Sequence, residues 1–327
     1  MLCRSMLLLT LIVAAAACGG GTSTSSHPPG ATRSALENGS FTVELDGFPI
    51  HYEVHGSGPV LMTVPNSWGL SLEGLRALYR PLEEHVTMVY FDPRGMGGSG
   101  AVREEADMGM AAVRADFQAL REHLGLDRVA AMGWSNGAMN LILLAAEHPE
   151  TLSSAIFVHG AASFTAEDNA RFTAAHPELV ASWAALEREL SAGTLAGTLS
   201  DADRTARMKA FWLERYFPSA TADPATAGPV VQRAVADAGF SWRHADYANR
   251  EAPVFDARDR VGSVTARSLV IAGAHDMLPP EKGRELADGI NGAQFTLFEH
   301  SGHFAPLEEP ESFQRVVLEF LGLAQTP

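Results

Sequence analysis

Short apolar runs alternate with longer stretches of helical spacing along most of the chain. Residues 41–45 and 50–54 are brief runs joined by Asp46 and Gly47, a pair typical of a β-hairpin turn. Further runs lack polar alternation, as do strands buried on both faces of a sheet; they cover residues 60–64, 86–91, 129–132, 155–158 and 269–272. A last strand is predicted at 294–298.

The segments between these runs have the spacing of helices. In residues 111–124 the apolar positions recur on one face, whereas residues 138–146 are apolar nearly all round and end before Pro149. A last helix is predicted at 308–323. The order of strand and helix predicts an α/β fold with a mainly parallel sheet and helices on both faces.

The alternation stops between residues 161 and 255. This stretch is rich in Ala, Glu and Arg at helical spacing, and prolines interrupt it. A segment of this length is too long for a plain crossover between two strands. We therefore predict a helical cap at 161–255, inserted after the sixth strand of a catalytic domain that is formed by residues 41–160 and 256–327.

The first 40 residues have a different composition. Arg4 precedes an apolar run at 6–13 and a small-residue run at 14–17, which is the pattern of an export signal. The apolar run is shorter than the ~20 apolar residues that span a bilayer. The run before Cys18 is similar to the signal of bacterial lipoproteins. We expect a signal peptide at 1–17, a flexible tether at 18–40, and an exported protein of the bacterial cell envelope, lipid-anchored at Cys18; the alternative is secretion after cleavage near Ala17.

The charge balance excludes some partners. The chain has 24 Lys and Arg against 39 Asp and Glu, a formal net charge of -15. Because nucleic acids and anionic lipid surfaces need a basic patch, we expect no nucleic-acid partner and membrane contact only through the lipid. Both cysteines, Cys3 and Cys18, precede the predicted catalytic domain, so no disulfide is expected in it. The sequence has no HExxH, CxxC or phosphate-loop motif, and we expect no metal and no cofactor.

A candidate nucleophile lies between a predicted strand and a predicted helix. The sequence Gly133-Trp134-Ser135-Asn136-Gly137 is a GxSxG motif, which at a strand-to-helix turn projects its serine from a strained backbone position. We predict that Ser135 is the nucleophile and that the N–H of Asn136 binds the oxyanion. The alternative is that Ser135 only caps the helix.

A serine nucleophile requires a base, and the base requires an acid that orients it. His303 follows the last predicted strand, and Asp276 follows the strand at 269–272, where sites in open α/β sheets are built. His300 is the alternative base, although its place at the strand end favours a structural hydrogen bond. The predicted triad is therefore Ser135, Asp276 and His303.

Four segments in this order resemble the α/β-hydrolase superfamily: residues 91–99, the GxSxG motif, residues 274–279, and residues 302–303 with 308–310. The resemblance is to the capped branch that contains prolyl iminopeptidases, small-ester carboxylesterases and cofactor-free haloperoxidase-like enzymes. It implies a serine hydrolase that acts on a small-molecule ester or amide through an acyl-enzyme.

One segment departs from the pattern of this family. After the third strand, where the family has His-Gly, the chain has Pro65-Asn66-Ser67-Trp68. By position, the N–H of Ser67 is the predicted second oxyanion donor, and Asn66 or Trp68 takes this role if the loop is shifted.

The sequence indicates the substrate less directly. Trp68 and Trp134, beside the nucleophile, are expected to make the acyl pocket bulky and apolar, and Trp212 of the cap is a further candidate. Residues 211–214 are similar to the cap segment in which prolyl iminopeptidases place a glutamate near the amine of the substrate, which makes Glu214 a candidate; the alternative is a solvated helix residue. We expect a hydrolase of small or medium carboxylic esters, with a prolyl iminopeptidase-like aminopeptidase and a non-catalytic binding protein as alternatives.

Overall fold

The structure, a computed structural model, describes residues 36–251 and 254–323. The predicted signal peptide, Cys18 and the tether as far as residue 35 lie outside the described residues. Within the described ranges, no helix is both long enough and apolar enough to cross a membrane.

Eight strands form one sheet. The strands of the chain are β1 (Gly39–Leu45), β2 (Phe48–Gly56), β3 (Val60–Val64), β4 (Thr87–Phe91), β5 (Val129–Trp134), β6 (Leu152–Val158), β7 (Ser163–Phe164), β8 (Phe255–Asp256), β9 (Arg267–Gly273) and β10 (Gln294–Phe298). The sheet has the order β1-β2-β4-β3-β5-β6-β9-β10. Only the pairs that include β2 are antiparallel, so the predicted mainly parallel α/β sheet is confirmed.

Helices connect most of the strands. They are α1 (Leu72–Tyr79), α2 (Gly109–His123), α3 (Asn136–Glu147), α4 (Ala166–Ala175), α5 (Pro177–Leu195), α6 (Asp201–Phe211), α7 (Phe217–Ser219), α8 (Gly228–Ala234), α9 (Trp242–Glu251), α10 (Pro280–Gly289), α11 (Ala305–Glu308) and α12 (Pro310–Leu321). A π-helical turn, Trp212–Tyr216, joins α6 to α7. The last helix, predicted at 308–323, is observed as α12; Pro310 keeps Glu309 out of helical geometry, with φ -132° and ψ 59°, and so separates α12 from the short α11.

The sheet has a hydrophobic core on each face. Along β4, Met88 and Tyr90 pack into one buried cluster and Val89 and Phe91 into the other, as the alternation of a strand requires. The first cluster contains the apolar faces of α1 and α12, and the second contains those of α2, α3 and α10. Helices on both faces of the sheet are therefore confirmed.

The segment between β6 and β9 is mostly helical. It contains α4 to α9, and the two-residue strands β7 and β8 pair antiparallel at its two ends, with Ser163 opposite Asp256 and Phe164 opposite Phe255. We call residues 165–254 the helical insertion. The assignment of 161–255 as a cap domain stays a prediction.

Candidate active site

Ser135 lies on the sharp turn between β5 and α3. Its φ of 56° and ψ of -122° are outside the regions that L-residues commonly adopt. The glycines on each side of it allow this turn: a Cβ atom on Gly133 would collide with the backbone oxygen of Gly137, and one on Gly137 with that of Val64. The turn thus places Ser135 at the carboxyl end of β5, where it lines a cavity.

His303 and Asp276 lie together on loops that follow neighbouring strands. His303 Nδ1 is 2.8 Å from Asp276 Oδ1 and 2.9 Å from Asp276 Oδ2. The loop of His303 is fixed by its own backbone, because its N–H donates to Ala220 O at 2.7 Å and its carbonyl accepts from Trp134 Nε1 at 2.8 Å. The rival base, His300, is exposed and does not line the cavity.

Ser135 and His303 line the same cavity, so the structure brings together the three residues of the predicted triad. Within the described part of the chain, the hydroxyl of Ser135 makes no hydrogen bond of 3.5 Å or less. Such contacts commonly tighten only when substrate binds.

A second histidine, which is not among the predicted site residues, contacts the acid. His159, directly after β6, has its Nδ1 2.7 Å from Asp276 Oδ2 and a fully buried side chain. Its Nε2 accepts the N–H of Ala305 at 3.2 Å, so Nδ1 carries the ring proton and donates to the carboxylate. One imidazole therefore links Asp276 to the loop of His303.

Asp276 remains ionised in this environment. Burial by itself raises the pKa of its carboxyl, but the charge of His303 and the hydrogen bonds from His159 and His303 hold that pKa well below its usual range. The N–H of Leu278 adds a bond to Oδ1 at 2.8 Å. For His159, burial lowers the pKa against the opposing hydrogen bond to Asp276, which favours its neutral form.

The side chains of His159, Asp276 and His303 are close enough to ligate a metal ion, with their donor atoms all within 4.8 Å of one another. Hydrogen bonds already engage both carboxylate oxygens of Asp276 and both ring nitrogens of His159. The arrangement is that of a hydrogen-bonded acid and base. The expected absence of a metal and a cofactor stays a prediction.

The loop after β3 corrects the predicted oxyanion donors in part. The N–H of Ser67 donates to Asn136 Oδ1 at 2.8 Å, and the Ser67 hydroxyl donates to the same oxygen at 2.8 Å. The backbone N–H predicted to face the substrate is thus engaged by the side chain after the nucleophile. Asn66 does not replace it, because it does not line the cavity, whereas Trp68 does. Asn136 also lines the cavity.

The cavity has a volume of about 340 Å³. Among the described residues that line it there is no Asp, Glu, Lys or Arg, and His303 is the histidine among them. They are mostly apolar with a few neutral polar groups: Ser67, Trp68, Met110, Ser135, Asn136, Met139, Phe164, Asn169, Phe172, Trp212, Tyr216, Ala245, Ala248, Asn249, Phe255, Met277, Leu278 and His303. We call this space the site cavity. It is suited to an uncharged, largely apolar molecule.

Two of the four predicted substrate-binding residues line the site cavity. Trp68 and Trp212 lie in its wall, with their rings stacked at 4.7 Å between centroids. The prediction for Trp134 is wrong: its side chain is only 1% exposed and packs in the core, 5.1 Å from the ring of Phe304. The prediction for Glu214 is wrong as well, because this residue is exposed on the π-helical turn and does not line the cavity.

Comparisons with known proteins place the chain in a family. The α/β hydrolase fold family matches residues 63–310. A putative carbamate hydrolase, RutD, of Variovorax paradoxus (strain S110) is 25% identical over 291 residues, which cover 85% of this chain and 98% of that protein. A 2-hydroxy-6-oxo-6-phenylhexa-2,4-dienoate hydrolase of Comamonas testosteroni is 25% identical over 285 residues, which cover 85% and 93%.

The fold is also shared with a solved hydrolase structure. The structure of an α/β fold family hydrolase from Bacillus anthracis str. Sterne superposes with a TM-score of 0.69 at 20% identity, and the match covers 86% of this chain and 99% of that one. Since the family match extends over more than half of its residues, the chain belongs to the α/β-hydrolase fold family and is a hydrolase of that class.

Proposed function

We propose that this hydrolase cleaves neutral carboxylic esters, lactones included, through Ser135, His303 and Asp276. The observation that carries the proposal is the shared site cavity: Ser135 and His303 open on one uncharged space, while Asp276 is buried behind the imidazole. This arrangement supports the order of nucleophile, base and acid that acyl transfer requires.

In the proposed reaction, the Ser135 oxygen attacks the carbonyl carbon as its proton passes to His303 Nε2. Asp276 holds Nδ1–H of His303 and stabilises the imidazolium that forms. The imidazolium then protonates the leaving alkoxide, which departs as an alcohol. Water attacks the acyl-enzyme by the same route and releases the carboxylic acid.

The oxyanion of the intermediate needs donors that are not already bonded. The N–H of Asn136 lies at the N-terminus of α3, where helix dipole and free N–H groups favour negative charge. We assign the second donor to the N–H of Trp68, because Asn136 Oδ1 engages that of Ser67. In this assignment the Asn136 side chain holds the loop and its backbone binds the substrate.

The neutral walls favour an ester over the aminopeptidase alternative. A free amine needs a carboxylate to bind it, and among the described residues of the site cavity there is no Asp or Glu. The relatives named above are a putative carbamate hydrolase and a dienoate hydrolase. A substrate carboxylate, as in a dienoate, likewise lacks an Arg or Lys partner among these residues.

The test compares purified wild type, Ser135→Ala and Ser40→Ala on p-nitrophenyl butyrate, an aryl acetate, a γ-lactone and a prolyl anilide. Ser40 is an exposed serine of β1 and serves as the matched control. We expect turnover of the esters to fall by at least ~10⁴-fold in Ser135→Ala and to be unchanged in Ser40→Ala. Labelling by a fluorophosphonate probe should be lost in the first variant alone.

The alternatives give different results. Faster cleavage of the prolyl anilide than of the aryl esters would favour the aminopeptidase. Absence of turnover on every substrate, together with absence of probe labelling, would favour the binding protein. Persistent labelling of Ser135→Ala would contradict the assignment of the nucleophile.

A further inference from the structure

A second cavity lies beside the site cavity, and residues of the helical insertion line it. Its volume is about 390 Å³, and five of its lining residues belong to both cavities: Asn169, Phe172, Trp212, Tyr216 and Asn249. We call it the tail cavity. The two cavities are therefore adjacent and share these residues as walls, and Ser135 lines the first of them.

The rest of the tail cavity is apolar or neutral. Its remaining lining residues are Thr173, Leu179, Val180, Trp183 and Phe211, which come from α4, α5 and α6. These side chains include no Asp, Glu, Lys, Arg or His. Charged residues make up 19% of the chain, so the lining of the tail cavity is less charged than the chain on average. It excludes ionic groups along its length.

The junction of the cavities is aromatic, and the π-helical turn forms it. The turn brings Trp212 and Tyr216 into contact, with ring centroids 4.3 Å apart, and both rings line both cavities. Trp212 Nε1 is buried without a hydrogen-bond partner in the described chain. A π-helical turn costs regular hydrogen bonding and occurs often at functional sites. Here it presents two flat rings to any chain that passes between the cavities.

Charged residues lie beyond the tail cavity. A third cavity shares Trp183 and Asn249 with it, but is also lined by Glu187, Arg204 and Asp246. An apolar chain that passed this point would desolvate these ionic groups without pairing them, which is unfavourable. The apolar path from Ser135 therefore ends near Trp183.

From the adjacency of the two cavities, the neutral lining and the charged end, we infer that the tail cavity opens to the site cavity and binds an unbranched apolar tail of the ester substrate. This inference depends on the proposed ester hydrolysis. A methylene group takes up about as much volume as a water molecule in the liquid, roughly 30 Å³, so the tail cavity holds on the order of ten methylene groups. The substrate class is thus a neutral ester with a medium-length hydrocarbon chain, in its acyl or its alcohol half.

The test measures kcat/KM on two series, p-nitrophenyl esters from acetate to hexadecanoate and alkyl acetates of the same lengths. Each buried methylene should raise kcat/KM about fourfold until the tail cavity is filled, after which the gain should stop. A rise in the first series places the tail in the acyl half, and a rise in the second places it in the alcohol half. Without a rise in either series, the inference is wrong.

Two variants of α5 locate the tail. Leu179→Trp fills the tail cavity and, in whichever series shows the rise, should lower the ratio of kcat/KM for the ten-carbon over the four-carbon ester by at least about tenfold. Leu195→Trp is the matched control, since Leu195 on the same helix is 91% exposed, and it should keep the wild-type ratio. Val180→Phe repeats the test if Leu179→Trp does not fold. A wild-type ratio in a folded tail-cavity variant would overturn the inference.

The two proposals fail separately. If acetate hydrolysis depends on Ser135 but chain length has no effect, the tail inference is wrong and the proposed ester hydrolysis stands. If hydrolysis of every ester persists in Ser135→Ala, the proposed function itself is wrong.

Discussion

His159 offers the sharpest test of how the site is held together. It is not among the residues that line the site cavity, but it donates to Asp276 and accepts from Ala305. His159→Leu removes both bonds. His159→Asn is the matched variant, because the amide nitrogen of Asn reaches the position of Nδ1 and Asn tolerates the positive φ of 52° found at this residue.

The structure sets the size of the effect. Loss of a hydrogen bond to a charged group costs about 1.5–3 kcal/mol, and a buried Ala305 N–H left without an acceptor costs about 1–3 kcal/mol. His159→Leu should therefore lower the free energy of unfolding by about 3–5 kcal/mol. His159→Asn keeps the bond to Asp276 and should lose only the smaller part. With Asp276 less firmly placed, kcat for His159→Leu should fall about 10- to 100-fold with KM unchanged.

Urea unfolding gives the stability, and kcat and KM on p-nitrophenyl butyrate give the catalytic effect at a temperature at which each variant is folded. His159→Asn should recover most of the kcat that His159→Leu loses. Equal kcat in wild type and folded His159→Leu would refute a positioning role. Equal loss in both variants would show that the donor to Asp276 is not the group that matters.

Three further predictions follow from the same structure. Burial lowers the pKa of His159 in the folded protein. The contribution of His159 to stability is therefore complete above its pKa in the unfolded chain, about 6.5, and is lost as the pH falls below that value. In urea titrations the stability of His159→Asn should decline less than that of wild type between pH 7 and 5. Asn136→Ala keeps its backbone N–H but releases the loop, and should lower kcat about tenfold, more than Ser67→Ala, which removes only the hydroxyl bond; equal effects would contradict the assigned role of the Asn136 amide. We also propose that Cys18 carries the lipid, so Cys18→Ser should move the protein from the membrane to the soluble fraction of an expressing cell. Wild-type protein already in the soluble fraction would favour the secreted alternative, and Cys18→Ser that stays in the membrane fraction would contradict the lipid anchor.

Strands and sheet class were readable from the sequence because uninterrupted apolar runs mark buried parallel strands. The observed bounds of β3 and β10 equal the predicted ones. The start of the last helix was less exact, since the helix begins at Pro310, two residues after the predicted start. The periodicity of apolar residues indicates which face of a helix is buried, whereas the residue at which the helix begins depends on a local feature such as Pro310.

The site was only partly predictable. Ser135, Asp276 and His303 each follow a strand at its carboxyl end, a local signal that the sequence contains. His159 has the same signal, but its partner is 117 residues away, and only the pairing of β6 with β9 across the helical insertion brings the two together. Trp134 adjoins the nucleophile in sequence, and the alternation of β5 turns its side chain into the core.

The two-residue pairing of β7 with β8 brings the start and the end of the helical insertion side by side. The chain therefore leaves the sheet and returns to it through one narrow neck. Lengthening, shortening or exchanging the segment beyond the neck changes the wall opposite Ser135 without altering the register of β6 and β9. The pocket for a new substrate can then be built from one continuous stretch of sequence, as long as residue 220 of that stretch keeps the carbonyl that accepts the N–H of His303.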